Sequence, residues 1–351
     1  ESDSNTTNIT GNITTAGDNA FGIIFNAQGI VRATSSNNTT TMTGNILTTG
    51  QNASGIYHLN SDSNTTSMIG DINTTGDAAY GLWLNTSDSN TTNLTGNITT
   101  TGLLSHGLFL FNSASNTTNM TGNITLTGGN AIYHFFNTTA NTTNMTGDIS
   151  LTGTGISIQQ SDAQIINMTG DINARGVGSG FGIYLTIADS NSVTMTGDIT
   201  SESNGIWVTD RSDSNTITMT GNITSTGADS RGIFINENES NIINMTGNIT
   251  TTGAGTAKGI HLENTVNNNI TFNGDILTPE TGDAQAIHLS NADSNIFTLS
   301  GKIESGTGLQ EAIYVNGFSD ANTFNIQSGA TFLGDFENLG TNTVITNQGV
   351  M

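Results

Sequence analysis

The stretch Asn116-Thr117-Thr118-Asn119-Met120-Thr121-Gly122-Asn123-Ile124-Thr125 returns in close copies about a dozen times along the chain, and everything between copies varies one unit. The glycine marks each copy: Gly11, Gly44, Gly70, Gly96, Gly122, Gly147, Gly170, Gly197, Gly221, Gly247, Gly274 and Gly301. Ile stands two positions after it in every copy, and Asn or Asp lies between, except at Gly301, where Lys302 follows. Spacings run from 23 to 27 residues, with one of 33. Self-similarity at this period means that each repeat is one supersecondary unit with small loop insertions.

Two positions before the glycine stand Ile9, Met42, Met68, Leu94, Met120, Met145, Met168, Met195, Met219, Met245, Phe272 and Leu299. Four before it, early copies carry Thr7 or Thr118, and later ones carry Ile166, Val193, Ile217, Ile243, Ile270 and Phe297. Polar residues fill the positions between. This is alternation with a period of two, rich in β-branched residues, and it predicts a strand with one buried face. A further segment in each copy runs small residue, aliphatic, ring, aliphatic, as in Gly81-Leu82-Trp83-Leu84 and Gly205-Ile206-Trp207-Val208. Three short strands per repeat follow, separated by Gly, Asn, Asp and Ser corners.

A unit of about 26 residues cannot bury its own apolar face, so units must stack, with each column about 4.8 Å above its predecessor. The expected fold is all-β: a single-stranded parallel β-helix of about 12–13 turns with three short strands per turn. Residues 1–318 are expected to form the repeat array and 319–351 the irregular closing turns of the same solenoid. With 43 Gly and a single Pro, Pro279, the chain turns corners often and keeps nearly every backbone donor for the ladder.

Charge narrows the function classes. Against 28 acidic residues stand 6 Lys and Arg, a formal charge of −22. Neutralising phosphates requires cations, so nucleic acid and anionic membrane are excluded as ligands. The sequence holds no run of about 18 apolar residues, so direct membrane insertion of this segment is not expected. The chain has no cysteine, as suits a protein that folds outside a cell.

The glycine before Asn/Asp-Ile-Thr, the link from Thr14 to Ile23, its second form Thr75-Gly76-Asp77-Ala78-Ala79-Tyr80-Gly81-Leu82, and the Ser-Asn-Thr-Thr return together resemble passenger domains of bacterial autotransporters. The resemblance covers nearly the whole chain. It implies a secreted, right-handed β-helix at the bacterial cell surface, made as a precursor with a signal peptide and a C-terminal outer-membrane barrel. Glu1 opens inside a repeat and no barrel follows Met351, so the chain reads as a processed or excised piece.

The candidate binding residues form a column at the middle of the third strand: Tyr57, Trp83, Phe109, Tyr133, Tyr184, Trp207, Phe234 and Tyr314, with His261 and His288 in the same column and Ser157 interrupting it. If the flanking aliphatics point inward, alternation sends these rings outward as an exposed apolar stripe. The stripe can serve as a contact strip for sugar rings, another copy of the chain or an inserted loop; its structural readings are a ladder that stabilises the sheet and burial under the protein's own loops. A second outward row is Thr10, Thr43, Thr95, Thr121, Thr146, Thr169, Thr196, Thr220 and Thr246, broken by Ile69, Asn273 and Ser300. Flat Thr arrays resemble ice-binding faces, though Thr is also an ordinary strand surface residue.

Asp3-Ser4-Asn5-Thr6-Thr7, Asp62-Ser63-Asn64-Thr65-Thr66 and Asp88-Ser89-Asn90-Thr91-Thr92 match an acidic-extended N-glycosylation acceptor, but read more simply as corners with stacked amides. The corner carboxylates Asp71, Asp148, Asp171, Asp198 and Asp275 are dispersed among Asn equivalents, and calcium needs several convergent oxygens. No metal site, cofactor or catalytic residue is therefore assigned. The five His, at 58, 106, 134, 261 and 288, all fall within or beside the third strand, and the longest insertion, between Phe25 and Ser35, holds only Arg32 among cations. The expected function is that of a non-catalytic extracellular structural or adhesive protein, a stalk or filament subunit making lateral or end-to-end contacts with itself; the alternative is a module binding surface glycan, or ice, through the aromatic or Thr face.

Overall fold

The computed structural model describes residues 4–26, 36–176, 178–253, 255–279, 283–306 and 311–349. Among them every regular element is a strand. The insertion after Asn26 that carries Arg32 lies outside the described residues. The chain divides into two compact units, Glu1–Gly170 and Asp171–Met351. Each is a parallel β-solenoid in which about 26 residues make one turn through three sheets.

One turn of the first unit shows the pattern: Thr91–Thr95 enters the first sheet, Ile98–Thr100 the second and Leu108–Phe111 the third. Successive turns pair in parallel with like residues in register, so that Leu94 lies beside Met120, Met120 beside Met145 and Met145 beside Met168. In the second unit Met195, Met219, Met245, Phe272 and Leu299 pair in register as a column of the same kind. All of these side chains are buried, as are the Ile residues that open the second-sheet strands, among them Ile98, Ile124, Ile199 and Ile223. The expectation of an interior filled by methionine and isoleucine files is met.

Beyond the first turn, where Thr7 is exposed, the position four before the glycine is interior even where it is threonine. Thr66, Thr92, Thr118 and Thr143 are fully buried. Two of them meet buried histidines: Thr66 Oγ1 lies 3.4 Å from His58 Nε2, and Thr143 Oγ1 lies 3.1 Å from His134 Nε2. Burial disfavours the imidazolium and pushes His58 down to about 3 and His134 to about 4. Both rings occupy aliphatic positions, His58 beside Leu84 and His134 beside Leu110.

Corner amides tie one turn to the next. Asn64 donates its backbone N–H and its side-chain amide to Asn90 Oδ1 at 2.9 and 3.1 Å. The same two bonds run from Asn90 to Asn116 and from Asn116 to Asn141. The second unit repeats the device from Asn191 to Asn215 and on to Asn241. Asn64 and Asn90 are about 1% exposed, so these two acceptor sequences are structural amides sealed from any glycosylating enzyme in the folded chain. Asn5, in the third, is exposed.

The corner aspartates do similar work outside. Asp71 Oδ1 accepts the Asn97 N–H at 2.8 Å, Asp198 Oδ1 accepts that of Asn222 at 2.7 Å, and Asp275 Oδ1 accepts that of Lys302 at 2.8 Å. The marker glycines are demanded by this stacking. At Gly122 φ is +141°, and a Cβ there would stand 2.1 Å from the carbonyl oxygen of Gly96. Residues 319–351 supply Thr323–Ile326, Thr331–Leu333, Asp335–Asn338 and Val344–Asn347, which pair in parallel with the turn before, with a register shift opposite Glu311.

Candidate functional site

The third sheet sets the ring column apart from the rest of the surface. Leu82 and Leu84 are buried on either side of Trp83, so alternation turns the indole outward. In the first unit Tyr57, Trp83, Phe109 and Tyr133 pair in register and stack, with centroids 4.2, 6.1 and 5.1 Å apart and interplanar angles near 15°. Ser157, next in register after Tyr133, is buried. In the second unit Tyr184, Trp207, Phe234, His261, His288 and Tyr314 form a file of their own.

These files are not the open stripe that alternation alone implies. Tyr57, Phe109 and Phe234 are only 6–8% exposed, and Trp83, Tyr133, Tyr184, Trp207 and Tyr314 are half-buried. Rings one strand spacing apart cover one another's faces, and residues from the corner just before the strand cover their edges. Phe21 packs at 4.7 Å on Tyr57; Tyr80 stands edge-on to Trp83 at 5.1 Å and to Phe109 at 5.0 Å; His106 lies 4.8 Å from Tyr133. Phe111, Phe135 and Phe136 extend the cluster on the far side. Tyr80, His106 and Phe181 each directly precede the glycine of a third strand. That recurring aromatic-Gly pair was the available sequence signal for them.

The second unit adds charge to its file. The Arg231 guanidinium lies 4.3 Å over the Phe234 ring, and its Nε donates to His261 Nδ1 at 2.8 Å. Lys258, beside Arg231 in register, is buried; it donates to Gln285 Oε1 and pairs with Asp283 at 3.6 Å. Burial first, then His288, Arg231 and Lys258, pushes His261 down to about 2, and burial with Lys258 nearby takes His288 to about 4. Both imidazoles are neutral at pH 7 and serve as flat, uncharged members of the stack.

Beside this file is a cavity of about 620 Å³, bordered by Phe181, Glu202, Asn204, Trp207, Asp229 and Ser230. Strand periodicity gives no sign of it, because it arises from a change in corner length. Ile206 follows Ile199 by 7 positions, whereas Ile233 follows Ile223 by 10 and Ile183 follows Ile172 by 11. A short corner between two longer ones leaves a recess floored by residues 202–204.

The Thr row is exposed as expected. Thr95, Thr121, Thr146 and Thr169 point outward in register, and Ile69 breaks the row at 60% exposure. Of the five His, 58 and 134 are interior and 106, 261 and 288 belong to the ring clusters. Among the described residues no three metal-ligating side chains converge, and no helix is long and apolar enough to cross a membrane.

Comparison with protein families, curated proteins and solved structures finds no match to this chain.

Proposed function

We propose that this is a non-catalytic extracellular adhesive protein, a β-solenoid scaffold of the kind displayed on bacterial surfaces, which makes its contacts through the outer face of the third sheet. The observation that carries this reading is the contrast between faces. The first and second sheets turn mainly Thr, Asn and Ser outward, with single exposed aliphatics at Ile69, Ile165, Ile242, Ile296 and Leu277, whereas the third concentrates rings: Trp83, Tyr133, Phe135 and Phe136 in one unit and Trp207 and Tyr314 in the other. Clustered, partly solvated aromatics of this kind mark interaction sites. The parallel ladder supplies a rigid backbone, because each turn is held by its neighbours in register.

The partner is another copy of the chain or a surface glycan. Electron micrographs of purified protein, with sedimentation velocity over a concentration series, test the first: fibres or paired particles lost on Trp83→Ala support self-association. Retention of a monomeric species on immobilised polysaccharide supports the second. Monomers that retain no polysaccharide would end the adhesive reading.

A further inference from the structure

We infer that Lys258 and Gln285 become joined by an isopeptide bond, formed within the folded chain when the Lys258 amine displaces ammonia from the Gln285 carboxamide. The product is a covalent staple between two neighbouring turns of the second unit. It would be present whether the outer face meets a glycan or another copy of the chain.

The chain has two lysines, Lys258 and Lys302, and buries the first. Lys302 is exposed and pairs with Glu304. Lys258 and Gln285 are partners in register on Lys258–Val266 and Gln285–Asp293, third-sheet strands of adjacent turns, and are 4% and 3% exposed. About 4.8 Å separates paired strands, so two long side chains at one register position must meet. They meet end to end: Lys258 Nζ donates to Gln285 Oε1 and to the Asp283 carbonyl oxygen. Oε1 is bonded to Cδ, the carbon that the amine would attack. With the pair almost sealed from solvent, the electrophile this amine can reach belongs to its own chain.

Three neighbours complete a site for acyl transfer. Asp283 spans the reacting groups, its Oδ2 3.6 Å from Lys258 Nζ and its Oδ1 accepting from Gln285 Nε2 at 2.6 Å. One carboxylate therefore touches both the attacking and the leaving nitrogen, where a proton relay is needed. Glu311 Oε2 accepts from the same Nε2 at 3.4 Å. His288 Nδ1 lies 3.2 Å from Gln285 Oε1, where negative charge develops; with its proton on Nδ1 the neutral ring donates to that oxygen. Burial, with Arg231 adding to it, outweighs Asp283 and Glu311 and holds Lys258 below the ordinary lysine value, which favours the free amine.

The step balances without a co-reactant. Asp283 takes a proton from the Lys258 ammonium, and the amine nitrogen bonds to Gln285 Cδ. Asp283 passes that proton to Nε2 and takes a second from the attacking nitrogen. The Cδ–Nε2 bond breaks, the second proton follows, and ammonium departs past Asp283, whose side chain is 69% exposed. An amide is a sluggish electrophile in water, but reacting groups held in contact reach effective molarities of about 10⁵–10⁸ M.

The test is mass spectrometry of the full chain, purified folded, then denatured and digested with trypsin, which cleaves after Lys and Arg but not after an acylated lysine. Lys258 and Gln285 both lie between Arg231 and Lys302. The expected intact mass is below that of the sequence by one ammonia, with a single peptide 232–302 in place of 232–258 and 259–302. Asp283→Ala should lower the cross-linked fraction at least tenfold with an unchanged circular dichroism spectrum. Full sequence mass with cleavage after Lys258 in the unaltered chain would overturn the assignment, and that measurement decides it whether or not a variant folds. Loss of ammonia with cleavage after Lys258 retained, the mark of a succinimide at an asparagine, would overturn it too. So would loss of water in place of ammonia, which would make Asp283 the acyl donor. Full cross-linking in Asp283→Ala would overturn the relay.

Discussion

Asn116 Oδ1 accepts two hydrogen bonds from Asn90, one from its backbone N–H at 2.8 Å and one from its side-chain amide at 3.1 Å, and both residues are buried. The ladder therefore makes each asparagine the partner of a backbone group in the turn before. Asn116→Ala strips two donors at once, and a loss of about 2–4 kcal/mol is expected. Asn116→Asp keeps the acceptor but removes the donations to Ser87 O and Asn141 Oδ1 and buries a charge, so it should be no milder. Chemical denaturation of the three proteins side by side measures both.

Gly122 and Gly128 separate steric demand from mere glycine content. A Cβ at Gly122 would stand 2.1 Å from Gly96 O at φ +141°, whereas at Gly128 the nearest atom, Gly102 O, is 3.6 Å away. Gly122→Ala should cost at least about 3 kcal/mol, since backbone cannot yield as a side chain can, and Gly128→Ala less than about 1 kcal/mol. Equal melting temperatures for the two variants would contradict the stacking geometry.

Acid stability should carry the signature of the interior histidines. His58 and His134 have folded-state values of about 3 and about 4, against 6.5 when unfolded. Below pH 6.5 the unfolded chain binds protons that the folded chain refuses, so stability present above that pH falls as pH drops toward these values. At pH 5 the loss is about 2 kcal/mol for each histidine. His58→Leu and His134→Leu place an aliphatic beside Leu84 and Leu110 and should flatten the acid limb of a melting-temperature profile; a limb as steep as that of the unaltered chain would assign the acid sensitivity elsewhere.

Trp83 is expected to matter both to stability and to contact. Trp83→Ala removes stacking on Tyr57 at 4.2 Å and the edge contact with Tyr80, and a loss of about 3 kcal/mol follows. Trp83→Phe should retain most of that while changing the outward edge. Thermal melts combined with polysaccharide retention distinguish the roles: a file that only stabilises the sheet would show the first effect without the second.

Much of this protein could be read before folding. Alternation around Met120 and Ile124 named the strands and their buried face, because it depends on neighbours within about ten residues, and the recurrence of Gly122 named the stacking, because its period of 23 to 27 residues is printed in the sequence itself. The ring positions of the third strand were legible for the same reason. What surrounds those rings was not. Whether Trp83 is open or shielded depends on Tyr80 and on Tyr57 one turn away, and whether Asn90 is an acceptor for a sugar or a buried rung depends on Asn116 occupying the next corner. The recess beside Trp207 exists because a short corner lies between two longer ones. Register between turns decides all three: strands read from periodicity carry their inward and outward faces with them, but only stacking at one strand spacing determines which side chains meet, which are covered, and where space is left.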